Sequence, residues 1–193
     1  PVATNEAGSL RISDGSRIVG AVKSSGQILV WTDTSLHGVQ FVGTPFTFGL
    51  RQLGANCGLI AQHAAIEVNG RAYWMSDNSF YMYDGVVKKM PCSVQDYVFD
   101  DLSYTNRNDI ACGINTAFNE IIWYYQSANG LSIDRAVAYN YLENTWLSSS
   151  DKANITTLAG ISGLATLAAN NTNLNTVATN NTNVTNVGGS IGG

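Results

Sequence analysis

The chain has 193 residues and a net charge of −4, with 45% hydrophobic and only 12% charged residues, about half the roughly 25% of an average soluble domain. Its 14 Asp+Glu outweigh 10 Lys+Arg, which disfavours a protein that binds nucleic acid by neutralising phosphates. Apolar runs are only a few residues long, too short for a transmembrane helix, so membrane insertion is not expected. The start, Pro1-Val2-Ala3, has no Met and no basic-then-apolar leader pattern, and reads as a processed or fragment start.

Composition divides the chain. All 6 Phe, 9 Tyr and 4 Trp lie at or before Trp146, and after Leu147 only Asp151 and Lys152 are charged. The expected organisation is a β domain over 1–147 and an Asn/Thr-rich, fibre-like repeat over 148–193.

Taken in order, the first part reads as short strands. Arg17 to Lys23, Gln27 to Thr32 and Gly38 to Gly43 are apolar runs parted by turn residues. Asp14-Gly15, Ser25-Gly26, Asn69-Gly70, Asp84-Gly85 and Asn129-Gly130 punctuate the chain. Asn-Gly and Asp-Gly between apolar runs signal hairpins, because both central turn residues need positive φ. The two modest helix candidates are Gly58 to Ile66 and Ser93 to Leu102. The predicted class is all-β.

A Trp-bearing strand, a polar turn and a second apolar strand recur around Trp31, Trp74 and Trp123, spaced 43 and 49 residues apart. Units of about 40 to 50 residues match propeller blades, each of which must stack on a neighbour to bury both faces. Residues 1–147 hold about three such units, a partial propeller, whereas closed propellers use about four to eight blades. The alternative is a generic sandwich with tryptophan in its core. On either reading Trp31, Trp74, Trp123 and Trp146 are core residues.

Three stretches carry a resemblance: Trp31 to Gly54 (WTDTSLHGVQFVGTPFTFGLRQLG), Tyr73 to Gly85 (YWMSDNSFYMYDG) and Pro91 to Asp101 (PCSVQDYVFDD). Over about residues 10–147 the chain resembles tail-hub or nozzle-type structural proteins of tailed bacteriophages. The resemblance implies a β-propeller virion protein near the end of the tail. Its partners would be sister copies and other tail proteins, and it would meet nucleic acid only by proximity to packaged DNA.

After residue 148 four near-copies follow, each with two apolar residues three apart: Ile155 and Leu158, Leu164 and Leu167, Leu174 and Val177, Val184 and Val187. One thin apolar stripe cannot be buried by a lone chain, so copies must meet along it. The pattern resembles stalk repeats of phage tail fibres, commonly trimeric. Asn and Thr are poor helix formers, so coiled coil and β-type fibre both remain open.

No catalytic chemistry is indicated. Cys57, Cys92 and Cys112 form no CxxC pair and read as buried thiols. His37 and His63 lack metal-ligand spacing, so no metal or cofactor is expected. Asp33 and Asp77 recur after the repeat tryptophans and read as turn formers that bond their own backbone. Asp100-Asp101 reads as a strand end or turn cap. Tyr73, Tyr81, Tyr83, Tyr124 and Tyr125 are numerous, and strand alternation would expose roughly half of them. The expectation is a non-enzymatic virion structural protein. An adhesin binding a host-surface glycan through a β head is the alternative, and a sugar-cleaving propeller is a third.

Overall fold

The computed structural model describes residues 10–43 and 47–148. The predicted stalk positions, Ile155 through Val187, lie outside the described residues.

Twelve strands form three four-stranded antiparallel sheets, each a simple meander in chain order. The first holds β1 (Ile18–Ser24), β2 (Gln27–Thr32), β3 (Ser35–Phe41) and β4 (Phe48–Ala55). The second holds β5 (Ala65–Val68), β6 (Arg71–Met75), β7 (Phe80–Tyr83) and β8 (Val87–Lys89). The third holds β9 (Ala111–Asn115), β10 (Glu120–Tyr125), β11 (Arg135–Asn140) and β12 (Thr145–Ser148). The fold is all-β apart from helix α1 (Gln95–Asp100) and a 3-10 segment (Tyr104–Asp109) between the second and third sheets.

Turn chemistry sets the register. Val68 pairs with Arg71 across Asn69-Gly70, and both turn residues take positive φ, 53° and 81°. That is the two-residue hairpin geometry that Asn-Gly supplies at least strain. Asn129-Gly130 does otherwise. It lies inside the longer β10–β11 connection, where Asp134 accepts hydrogen bonds from the Ser127 backbone and hydroxyl at 2.8 and 2.7 Å.

The first strands adjoin, β1 against β5 and β5 against β9. Between the first and second sheets Trp31 meets Trp74 edge-on, ring centres 5.3 Å apart. Between the second and third, Phe80 lies 5.0 Å from Trp123 and 4.6 Å from Trp146. Helix α1 adds Phe99, 5.4 Å from Phe80. Trp146 donates its indole N–H to the Pro91 carbonyl at 2.7 Å.

The tryptophan repeat is not equivalent in register. Trp74 and Trp123 are the fourth residues of β6 and β10 and turn toward the preceding sheet. Trp31 is the fifth residue of β2 and turns toward the following one. Side chains alternate along a strand, so one residue of offset reverses the face. Trp31 is fully buried, and its indole N–H has no hydrogen-bond partner among the described residues.

The segment predicted as a helix, Gly58 to Ile66, is instead an irregular connector of bends and one turn, and its last residues, Ala65 and Ile66, begin β5. Its backbone serves all three sheets. Cys57 and Leu59 donate N–H to Thr34 and Thr32 of the first sheet region, at 3.0 and 3.1 Å. Ile60 donates to Met75, and Met75 to Ala64, both at 3.1 Å. The His63 carbonyl accepts from Cys112 of β9 at 2.8 Å. The Cys57 and Ala64 carbonyls accept the indole N–H of Trp74 and Trp123 at 2.9 and 3.0 Å. A helix would have spent these groups on itself.

Gly58 permits this approach. A Cβ there would stand 2.0 Å from the Asp33 carbonyl oxygen and 2.6 Å from the Thr34 nitrogen. Both are backbone atoms that cannot swing away. We predict that Gly58→Ala destabilises the fold by about 3 kcal/mol or more, the upper end for overpacking. Urea denaturation followed by tryptophan fluorescence measures it, and Gly113→Ala, which meets nothing within 4 Å, serves as the control.

Candidate functional site

Two places carry side-chain arrangements beyond ordinary core packing: a charged cluster at one end of the third sheet and an open apolar face on the first.

The charged cluster joins the end of α1 to the β10–β11 loop. Asp101 accepts from Arg135 Nε at 3.0 Å, and Arg135 Nη1 lies 3.5 Å from Asp134. Backbone and hydroxyl hydrogen bonds from Ser127 hold the Asp134 carboxyl below its usual range. The Asp101 hydrogen bond raises Arg135. Beneath them Tyr125 is fully buried and its hydroxyl has no hydrogen-bond partner among the described residues; desolvation raises its pKa. A general-acid carboxyl requires the opposite shift, a raised pKa in an apolar setting. Asp134 instead locks its loop as an ionised acceptor.

The aspartates singled out by sequence are occupied structurally. Asp33 was expected to bond its own turn; its own backbone N–H is a minor partner, and its carboxylate mainly reaches across the chain. It accepts the Ser16 N–H at 2.8 Å and also the Ser16 hydroxyl. These bonds, the hydroxyl first, lower its pKa. Asp77 lies 3.4 Å from Arg107 and is exposed. Asp100 ends α1 and Asp101 is its C-cap, so the pair belongs to a helix end.

His37 is buried within β3, its Nε2 2.9 Å from the Ser35 hydroxyl. His63 is exposed and bridges to Ala111. The three thiols are free. Burial pushes Cys57 and Cys92 up to about 11 and Cys112 up to about 12, so little reactive thiolate exists near neutrality. Among the described residues, no group of three or more His, Cys, Asp or Glu could hold a metal ion. No described helix is long and apolar enough to cross a membrane.

Strand alternation gave a poor guide to the tyrosines. Tyr73, Tyr83 and Tyr125 are buried and Tyr81 is half-buried, stacked on Trp74; only Tyr124 of the five is exposed. Neighbouring sheets cover both faces of the second sheet, so alternation there does not mean exposure.

The open face was not singled out by sequence. On the side of the first sheet opposite Trp31, Lys23, Ile28, Val39 and Leu50 pair across the four strands. Phe41 pairs with Phe48, ring centres 6.0 Å apart. Ile28, Phe41 and Phe48 are 45, 66 and 51% exposed, and a cleft of about 370 Å³ lies among them. Exposed apolar side chains gathered in this way make this end of the sheet a candidate interaction surface. The available signal was the alternation Ile28, Val30 and Val39, Phe41, which supplies a second apolar face to strands whose other face is already apolar.

No protein-family model matches the chain, and no curated protein matches it.

The acid limb of stability follows from the lowered carboxyls of Asp33, Asp84 and Asp134. Each folded pKa lies below the unfolded value of about 3.9. Their contribution is therefore present above that value and lost as pH falls through the folded ones. Thermal melts should show the midpoint dropping below about pH 4. In the Asp33→Ala/Asp134→Ala double variant, the pH 7 midpoint should fall more than the pH 3 midpoint, narrowing the gap between them.

Proposed function

We propose that the chain is a non-enzymatic structural protein of a phage virion tail, its three sheets acting as consecutive blades of a propeller-like ring. The observation that carries this reading is the shared topology of the sheets. Each is a four-stranded meander in chain order, with neighbouring first strands adjoining, the arrangement of strands within and between propeller blades. The likeness of residues 10–147 to tail-hub and nozzle-type proteins supplies the virion assignment. The C-terminal repeats would then form or join a stalk by meeting sister copies along Ile155 to Val187.

The mechanism on this reading is mechanical. Apolar surface buried between sheets and between chains gives rigidity. The low charge leaves assembly little affected by salt. The charged cluster and the buried thiols hold loops and core in place. The glycan-binding alternative would draw support from a platform of exposed aromatics, and of the five tyrosines named for it three are buried and one is half-buried.

The test is location. Antibodies raised against the chain should decorate the tail of particles produced by cells carrying its gene, and peptide mass spectrometry should find it there in several copies. Absence from purified particles, with binding to host-surface glycans on an array, would replace the virion reading with the adhesin one.

A further inference from the structure

We infer that an open cleft beside the charged cluster binds a neutral sugar, one pyranose unit of a glycan. The inference goes beyond the virion reading and does not depend on it.

Three segments of chain meet at this cleft. The connector brings His63, the 3-10 segment brings Asn106, Asn108 and Asp109, and the chain after β10 brings Gln126 and Ser132. The space between them is about 740 Å³, within the roughly 300 to 1,000 Å³ of small-ligand sites.

The walls are held in place by the fold. Ser103, at the start of the 3-10 segment, donates its N–H to the Gln126 carbonyl at 2.9 Å, and Cys112 donates to the His63 carbonyl at 2.8 Å. Gln126 Nε2 donates to the Gly130 carbonyl at 2.5 Å. Ser127 and Asp134 close the same loop, and Arg135 ties it to Asp101. Walls fixed in this way spare a ligand the entropic cost of ordering them.

The polar groups that face the cleft are unspent. The His63 imidazole, the Asn106 and Asn108 amides, the Asp109 carboxylate and the Ser132 hydroxyl have no hydrogen-bond or ion-pair partner among the described residues. Gln126 is only 8% exposed. Its Nε2 is committed to Gly130, and its Oε1, without a partner among the described residues, is left to accept from whatever fills the cleft. Elsewhere in this region the charged side chains of Asp101, Asp134 and Arg135 bind one another or Ser127.

The lining selects the class of ligand. No Lys or Arg lines the cleft, so a phosphate finds no counter-charge. Asp109 is the one acid in the lining, too few for a calcium ion, which takes six to eight oxygens. Amides, a hydroxyl and a carboxylate side by side offer the mixed donors and acceptors that adjacent sugar hydroxyls pair with. Leu131, fully exposed, and Ile133, 47% exposed, add an apolar wall on which the C–H face of a pyranose can lie. Cleavage of a glycoside uses two carboxyl groups, and a cleft with one holds the sugar without cutting it.

The test is saturation-transfer NMR of the full chain with a panel of methyl pyranosides (glucoside, galactoside, mannoside and N-acetylglucosaminide) and inorganic phosphate as the comparison. At least one pyranoside should bind, with a dissociation constant of about 1 mM or tighter. Asp109→Asn should weaken that binding about tenfold, the loss of a hydrogen bond to a charged group, with an unchanged circular dichroism spectrum and melting midpoint. Leu131→Ser, at a fully exposed site, tests the apolar wall independently and should also weaken binding. Tyr124→Ala, at an exposed aromatic outside the cleft, should leave it unchanged. Binding by none of the four sugars, tighter binding of phosphate than of any sugar, binding unmoved by both Asp109→Asn and Leu131→Ser, or binding lost in Tyr124→Ala would overturn the inference.

Discussion

The connector from Cys57 to Ala64 is the constraint on which the rest of the domain depends. Its N–H and C=O groups meet partners in each of the three sheets, and its carbonyls accept the indole N–H of two core tryptophans. Leu59, Ile60, Ala61 and Ala64 are buried along it. A helix over the same residues would have spent these groups on its own turns. The irregular conformation is therefore what allows one short segment to bind three sheets, and Gly58 is what lets it approach the first.

The same arrangement explains the asymmetry of the core. The second sheet is covered on both sides, with Trp31 and Trp74 on one and Phe80, Trp123 and Trp146 on the other. The aromatic weight lies there because such side chains bury the most area per residue. The first sheet spends its tryptophan on the side facing the second; on its other side His37 is buried while Ile28, Phe41 and Phe48 are exposed. The unpartnered indole N–H of Trp31 accompanies that reversal, since the two tryptophans in the usual position both find connector carbonyls.

The polar chemistry is likewise spent on architecture. Ser16 ties the chain before β1 to the turn at Asp33, Ser127 and Asp134 close the β10–β11 loop, and Arg135 binds that loop to the end of α1. Asp134 accepts two hydrogen bonds from Ser127 beside the Arg135 guanidinium, and Asp33 accepts two from Ser16; hydrogen bonds to the charged form keep such carboxylates ionised, which suits loop anchoring better than proton transfer. An apolar surface free of such commitments surrounds Ile28, Phe41 and Phe48.

What the sequence determined by itself was local. The strands β1 and β2, the Asn69-Gly70 hairpin and the burial of Trp31, Trp74 and Trp123 were legible because turn conformation and apolar period are properties of a few adjacent residues. The C-terminal repeats were legible as a pattern and lie beyond the described residues. Tertiary structure decided what depends on contacts distant along the chain. It turned the apolar run after Gly58 from a candidate helix into a connector, because most of its hydrogen bonds go to the three sheets and only the Ala64 to Ala61 turn closes on itself. It sent the Asp33 carboxylate chiefly to Ser16, before β1, with its own backbone a lesser partner. It also showed that tryptophans at a nearly regular spacing face opposite ways, since in a strand a single residue of offset exchanges the buried side for the open one.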